Sequence, residues 1–571
     1  MLKRNVQISA ILIVATACSL DLSADPVSVH ASALDADVVI YGGTPAGLSA
    51  ATAVVRGHRS VIVVEPTSSI GGMITGGIAI TDTDTPQLVG GIARDFFEEV
   101  SAIERRTSSS RQVSMVFHGV KIPWSQPAAW DLEPKVARQV FERWLQQQKY
   151  QLVLNERVVA VTKSRAKILS IRLTDGSTVS GKVFIDASYE GDLMAKAGVS
   201  STFGRESSQE YGESLTGVRL PHFVRNYTEE EYATPTEEYT HQGQFGADLR
   251  ARDERGHLLW GVEAGPLGDL GSGDDRLQAY CYRLIATQRT DLKLAWPKPS
   301  HYEKAHYELL LHYIEAHPGI TFARLVHLGP IPNGKWDLNA SGPFSTDFIG
   351  GNKGFPAASY SDRDHMLNAH KEYEQGFFWF LAHDPRVPQH LREEVNSWGL
   401  AKDEWMDSNH WPVQLYIREG RRMLGAYVVT EKDILQDKTK DDSIGMGSYM
   451  LDSHWVRRFE DEHGSVKVEG FLDMTIDLSR SPYEIPYRAI TPKEEESDNL
   501  LVPVCLSASH VAICTIRMEP VYMILGQAAG DAALLALQPV GSVQQINIAA
   551  LRHKLVAEGQ IMSMSQKSPK P

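Results

Sequence analysis

Four apolar residues, Val38-Val39-Ile40-Tyr41, follow Asp37 without a polar break, and four more, Val61-Ile62-Val63-Val64, run into Glu65. Unbroken apolar runs of this length, bounded by turn residues, fit strands buried on both faces. Between them stand Gly42-Gly43-Thr44-Pro45-Ala46-Gly47-Leu48 and further small residues, the pattern of a tight turn that opens a closely packed helix. Apolar residues recur at helical spacing from Leu132 through Phe141. Residues 151–161 read as a strand pair, and 168–173 with 178–185 as a hairpin turning at Asp175-Gly176. Val183-Phe184-Ile185 continues as a buried strand with a polar exit, Asp186-Ala187-Ser188, and Tyr189-Glu190-Gly191-Asp192-Leu193 opens a helix. Near the C-terminus, Leu500 to Leu506 reads as a short buried strand and Val521 to Ala533 as a helix rich in small residues. Pro520 suits the first helical position, with Glu519 at the cap.

This organisation predicts an α/β fold. A Rossmann-like domain is built from residues 34–205 and 481–540, and an α+β substrate domain, 206–480, is inserted between them. In the insertion, helices, loops and aromatics mix without βαβ regularity. Residues 541–571 read as a polar C-terminal tail.

The chain has 571 residues and a formal net charge of −14. The length suggests about two to four domains. The acidic balance, with no basic patch, argues against nucleic acid as a partner. Residues 1–33 read as a signal peptide: Lys3 and Arg4 precede an apolar run, Ile8 to Ala17, too short to span a membrane. Export to the periplasm or exterior is the expectation, with lipid anchoring at Cys18 the alternative and no transmembrane span. Four cysteines, one of them Cys18, make no disulfide framework and no C-x-x-C centre, and no metal-ligand spacing is present.

The chemistry begins at the glycine turn. Its backbone N–H groups and the positive end of the helix behind it suit a pyrophosphate, and a carboxylate ending the next strand, Glu65, suits ribose hydroxyls. The usual G-x-G-x-x-G pattern is altered here, since Thr44 takes the second glycine position. A second glycine loop, Ile70-Gly71-Gly72-Met73 through Gly77, follows directly. A nicotinamide unit has little need of one, so FAD is favoured as the cofactor. The helix near 520 is placed to direct its N-terminus at the flavin pyrimidine edge.

With these segments, together with Tyr416-Ile417-Arg418-Glu419-Gly420-Arg421-Arg422-Met423 and Leu501 through Pro520, the chain resembles the bacterial FAD-dependent oxidoreductases of the glutathione-reductase-like, two-segment flavoprotein superfamily, over roughly residues 35–540. The family also carries the Thr44 variant. The resemblance implies FAD contacts from Gly42, Gly43, Thr44, Pro45, Ala46, Gly47, Glu65, Gly71, Gly72 and Met73. It further implies contacts from the Val158 backbone at adenine, from Ala187 and Ser188, and from Ser507, Glu519 and Gln527 in the C-terminal segment. Larger flavoproteins carry a Gly-Asp pair for the ribityl chain; Pro503-Val504 stands there, which passes that contact to backbone or to Ser507. Asp186 through Asp192 closes over the pyrophosphate or adenine end, or its acids cap a helix.

A flavin enzyme draws its electron chemistry from the cofactor and needs a base from the protein. His510, after the C-terminal strand, is the first candidate, ahead of His410 and His454, each beside a tryptophan. Arg418 and Arg517 are candidates to hold a polar substrate or the flavin edge, with ion pairing to Glu419 or another acid as the alternative for the 418–422 arginines. The aromatics Trp405 to Trp411, Tyr449 and Trp455 either line a substrate pocket or fill the core. The expected function is hydride transfer from a small polar substrate, an alcohol or sugar, to flavin, with an electron acceptor that the sequence leaves unspecified. Amine oxidation is the nearest alternative, and a non-redox carbohydrate-binding or lyase protein on the same fold is the other.

Overall fold

The computed structural model describes residues 33–83, 85–107, 115–117, 120–122, 130–148, 150–219, 248–472, 482–538 and 541–564. The leader expected over residues 1–33 lies outside this set except for Ala33.

The two apolar runs form β1 (Ala33–Tyr41) and β2 (Val61–Glu65), joined through helix α1 (Pro45–Arg56). They pair in parallel, Val38 opposite Val61 through Tyr41 opposite Val64, the arrangement of a βαβ unit. A short helix, α2 (Gly72–Thr75), follows β2. Four more strands join the sheet: β3 (Gln151–Leu154), β4 (Val158–Ser164), β5 (Lys167–Leu173) and β6 (Thr178–Asp186). The order is β3-β2-β1-β6-β5-β4, with a seventh strand, β7 (Leu500–Leu501), paired to β6. Strands β3, β2, β1, β6 and β7 run parallel, and β4 and β5 add an antiparallel edge. The C-terminal segment thus lies in the same sheet as the N-terminal one.

Two helices follow β7: α3 (His510–Ile516) and α4 (Glu519–Ala536). Ser509 caps α3 by accepting from the Ala512 N–H. Every residue of α4 from Glu519 to Ala533 is buried. It crosses α1 with no room for side chains: a Cβ on Gly526 would overlap the Ala46 carbonyl oxygen, and one on Gly530 would lie 2.5 Å from that of Ala50. Small residues are therefore obligatory at this crossing.

The insertion contains a five-stranded antiparallel sheet in the order Lys293–Leu294, Gly399–Ala401, Leu284–Thr287, Lys335–Ala340, Val326–Ile331. A helix over Tyr360–His383 belongs to the same region. The C-terminal tail expected from residue 541 is corrected by a helix, α5 (Ile548–Ala557), capped by Asn547 and seated through Leu551 and Leu555. Among the described residues no helix is long and apolar enough to cross a membrane.

Candidate functional site

The glycine turn joins β1 to α1 at the carboxyl end of the parallel strands. Gly42 takes φ +104°, and a Cβ there would meet the Ala187 backbone at 2.7 Å. Thr44 is the N-cap of α1: its hydroxyl accepts from Gly47 N–H at 3.2 Å and donates to the Ala187 carbonyl at 2.8 Å. Its side chain is thus occupied by the helix and the β6 exit. Glu65 ends β2 with one carboxylate oxygen on Gly43 N–H and the other on Thr67 N–H, each at 2.7 Å. Burial raises its pKa against those two hydrogen bonds.

The second glycine loop is fastened to the first, since Gly71 N–H donates to the Gly43 carbonyl at 2.7 Å. Tyr189 then spans to the C-terminal segment. Its hydroxyl accepts from Met73 N–H at 3.0 Å and donates to Glu519 at 2.7 Å. Burial pushes the Glu519 carboxyl up to about 8, and its Oε2 has no hydrogen-bond partner among the described residues. Gly42 to Gly47, Glu65, Gly71 to Met73, Ala187 and Glu519 therefore meet at one place. Ser188 adjoins them, its hydroxyl donating to Asp186 at 2.6 Å and accepting from Gly191 N–H at 3.1 Å.

Three other residues named from the sequence have different partners. Gln527 accepts from Ile92 N–H and donates to Glu558. Ser507 accepts from Gly425 N–H at 3.1 Å. The Val158 carbonyl accepts from the Tyr360 hydroxyl at 2.8 Å.

A dense set of buried charges adjoins the start of α4. Arg517, two residues before that helix, donates to Asp452 at 2.7 Å and to the Tyr416 hydroxyl at 2.7 Å. Asp452 lies 3.7 Å from His454 Nε2, while His454 Nδ1 is 2.6 Å from Asp347. Asp347 pairs with Arg418 at 2.9 Å, and Arg418 lies over the Tyr416 ring. Burial opposes ionisation of Asp347, but Arg418 and His454 outweigh it and hold the pKa at about 2. Asp452 is likewise held well below the usual carboxylate range, by Arg517 and His454 against burial. Arg283 forks onto Asp337, which also accepts from Ala79 and Ile80 N–H. Asp82 is within electrostatic reach of Arg283, Asp452 and Arg517, and burial pushes it up to about 6 against the pull of Arg283. It lines a small cleft with Thr83, Ser448, Tyr449, Met518 and Val521.

Asp82, Arg283, Asp337, Asp347 and Asp452 escape sequence reasoning. None lies in a motif, and only the fold brings them beside Arg418 and Arg517. His510 is placed differently from the first-choice base that the sequence suggests. It is 2% exposed, Nδ1 lies 2.9 Å from Glu419, and its N–H donates to Glu206. Burial, then Arg422, pushes its pKa down to about 3. Arg422 itself pairs with Glu419 and Glu206, and Arg421 with Asp192 at 2.8 Å. His410 rests on the Glu404 carbonyl at 3.2 Å. Among the aromatics, Trp405 donates to the Thr75 carbonyl beside α2, Trp411 packs on Tyr282 and Trp455 on Phe471. Among the described residues one cluster has carboxylates at metal-ligand distances, Glu133, Asp403 and Glu404, but the Lys335 ammonium pairs with all three.

A family model described as FAD dependent oxidoreductase matches residues 37–555. No curated protein matches the chain. Among solved structures, an anhydrotetracycline hydroxylase from Streptomyces rimosus is 14% identical, with 30% of this chain and 36% of that one covered and a TM-score of 0.22. An L-amino acid deaminase from Proteus vulgaris is 14% identical over 30% of this chain and 52% of its own, TM-score 0.23. A bacillithiol disulfide reductase from Staphylococcus aureus is 16% identical over 27% and 38%, TM-score 0.18. The chain thus spans from about a third to a half of the length of these structures.

Proposed function

The chain belongs to the FAD-dependent oxidoreductase family, and from that premise we propose that it oxidises a small, uncharged polar molecule, an alcohol or a sugar hydroxyl. Bound FAD supplies the two-electron oxidant. The residues fit that cofactor: a glycine cradle closed by Ala187, a carboxylate at the end of β2, and a buried carboxyl oxygen of Glu519 with no protein partner. In this reading the backbone of Gly42–Gly47 takes the pyrophosphate and Glu65 the adenosine ribose. The start of α4 faces the flavin pyrimidine, where the helix N-terminus favours negative charge.

The observation that carries the substrate class is the charge balance beside α4. Arg283, Arg418 and Arg517 are matched one to one by Asp337, Asp347 and Asp452. An anionic substrate would have to displace one of these buried carboxylates, leaving a charge uncompensated at a cost of about 3–5 kcal/mol. Neutral hydroxyls can bond to the same groups without that penalty. Asp82, which makes no ion pair among the described residues, adds a carboxyl without a cation of its own. That carboxyl supports a cationic amine as the second reading. Family membership sets aside the non-redox lyase alternative.

Anaerobic mixing of the yellow holoprotein with a panel of alcohols, sugars, amines and hydroxy acids tests this. The expected result is bleaching of the flavin absorbance by members of the alcohol and sugar set. Bleaching by amines alone selects the second reading, and bleaching by carboxylates alone contradicts both.

A further inference from the structure

Two histidines lie in the same buried network, and the geometry gives them opposite capacities. His510 is enclosed and held at Nδ1 by Glu419, and burial, then Arg422, disfavours a charged ring there against the pull of Glu206 and Glu213. His454 keeps 12% of its side chain exposed. Its main chain is anchored, since His454 N–H donates to Gln278 Oε1 at 3.3 Å, and Gln278 in turn donates to Glu419.

We propose that His454, oriented by Asp347, is the catalytic base that accepts the substrate proton at Nε2. This rests on the oxidoreductase reading above. Asp347 can only accept while it is ionised, and its pairing with Arg418 keeps it so. The 2.6 Å contact therefore places a ring proton on Nδ1 and leaves Nε2 as the nitrogen that can take up another. At 3.7 Å the Asp452 carboxylate is too far to hydrogen-bond Nε2, yet close enough to attract a positive charge there. Asp347 thus holds Nδ1, Nε2 has no hydrogen-bond partner among the described residues, and a proton taken up there lies between two carboxylates. The groups that face it are Asp347, Asp452 and Gln278, with Arg418 and Arg517 behind the two acids.

The step balances as follows. The substrate O–H breaks and its proton goes to His454 Nε2. The C–H bond on the same carbon would break with its hydrogen and electron pair passing to bound FAD, the oxidant that family membership supplies. The C–O bond becomes C=O, so the substrate loses two electrons and FAD gains them. Asp347 is a positioning residue, since it acts through the ring.

The test compares the holoenzyme with His454→Asn and Asp347→Asn. A substrate from the bleaching panel, or a non-oxidisable analogue, first reports binding through its perturbation of the oxidised flavin spectrum. His454→Asn is expected to keep FAD and that perturbation, yet to reduce the flavin about 10²–10⁴-fold more slowly. Asp347→Asn is expected to lower kcat with KM nearly unchanged. Nitrogen spectra of histidine-labelled holoenzyme supply a readout independent of turnover. The signal missing in His454→Asn should be that of a ring protonated at Nδ1 and bare at Nε2. Reduction by His454→Asn within about threefold of wild type, far inside the loss expected for a base, overturns the assignment. So does a ring protonated at Nε2. If no panel member reduces the wild-type flavin, the oxidation reading fails, and the ring spectrum still decides whether Nε2 is open.

Discussion

Thr44 stands where a dinucleotide turn usually has its second glycine, and its hydroxyl is bonded to Gly47 and Ala187. An altered motif is therefore consistent with an intact turn. The residues legible in advance are those whose meaning is local: the glycines need particular φ values and close approaches, and Glu65 needs only to end a strand. If Glu65 takes the ribose as proposed, Glu65→Ala removes a charge-assisted hydrogen bond and is expected to weaken FAD binding by roughly 1.5–3 kcal/mol. Equilibrium titration of FAD into the deflavinated variant measures this, and an unchanged Kd would show that the ribose lies elsewhere. Asp347, Asp452 and Asp82 were illegible because an aspartate in a loop looks alike whether it caps a turn or meets a buried arginine from a distant segment. The enclosure of His510 is illegible for the same reason, since a motif position says nothing about burial.

Among the elements, α4 links the cofactor segment to the ion-pair cluster. Glu519 in its first turn has a pKa of about 8 against an ordinary 4.5, so the folded chain binds more protons than the unfolded one between those values. The sign follows: this group's contribution is complete below pH 4.5 and is lost as pH rises through about 8. Glu519→Gln keeps an acceptor for the Tyr189 hydroxyl and should flatten that decline in flavin-free protein. Thermal unfolding across this pH range reads it, and an unaltered slope would place the carboxyl in a different environment. The α1–α4 crossing makes a second prediction. Gly526→Ala forces a Cβ onto the Ala46 carbonyl, with an expected loss of about 1–3 kcal/mol in stability. FAD affinity should fall with it, because α1 carries the glycine turn; a lower Tm with unchanged FAD Kd would separate the crossing from the site. The βαβ elements were readable because β1 and β2 are continuous apolar runs. The inserted sheet was not, since strands as short as Lys293–Leu294 and Gly399–Ala401 have no period to detect. Helix α5 escaped because its buried stripe rests on Leu551 and Leu555.

At the scale of the molecule, two chain ends some 450 residues apart close one sheet: β7 pairs with β6 while α4 lies across α1. That return was foreseeable from two half-motifs, one at each end, that make sense only together. Binding FAD should therefore stabilise the whole fold, by about 2.7 kcal/mol when free FAD stands a hundredfold above Kd. A single cooperative transition that moves to higher Tm with FAD concentration is the expected behaviour. Hydrogen exchange of the deflavinated protein, with and without added FAD, tests the shared site most directly. Protection is predicted together in three stretches: Gly42–Gly47, Gly71–Met73, and the first turn of α4 from Glu519. Protection confined to the N-terminal glycine turn, with the start of α4 exchanging as before, would contradict the account.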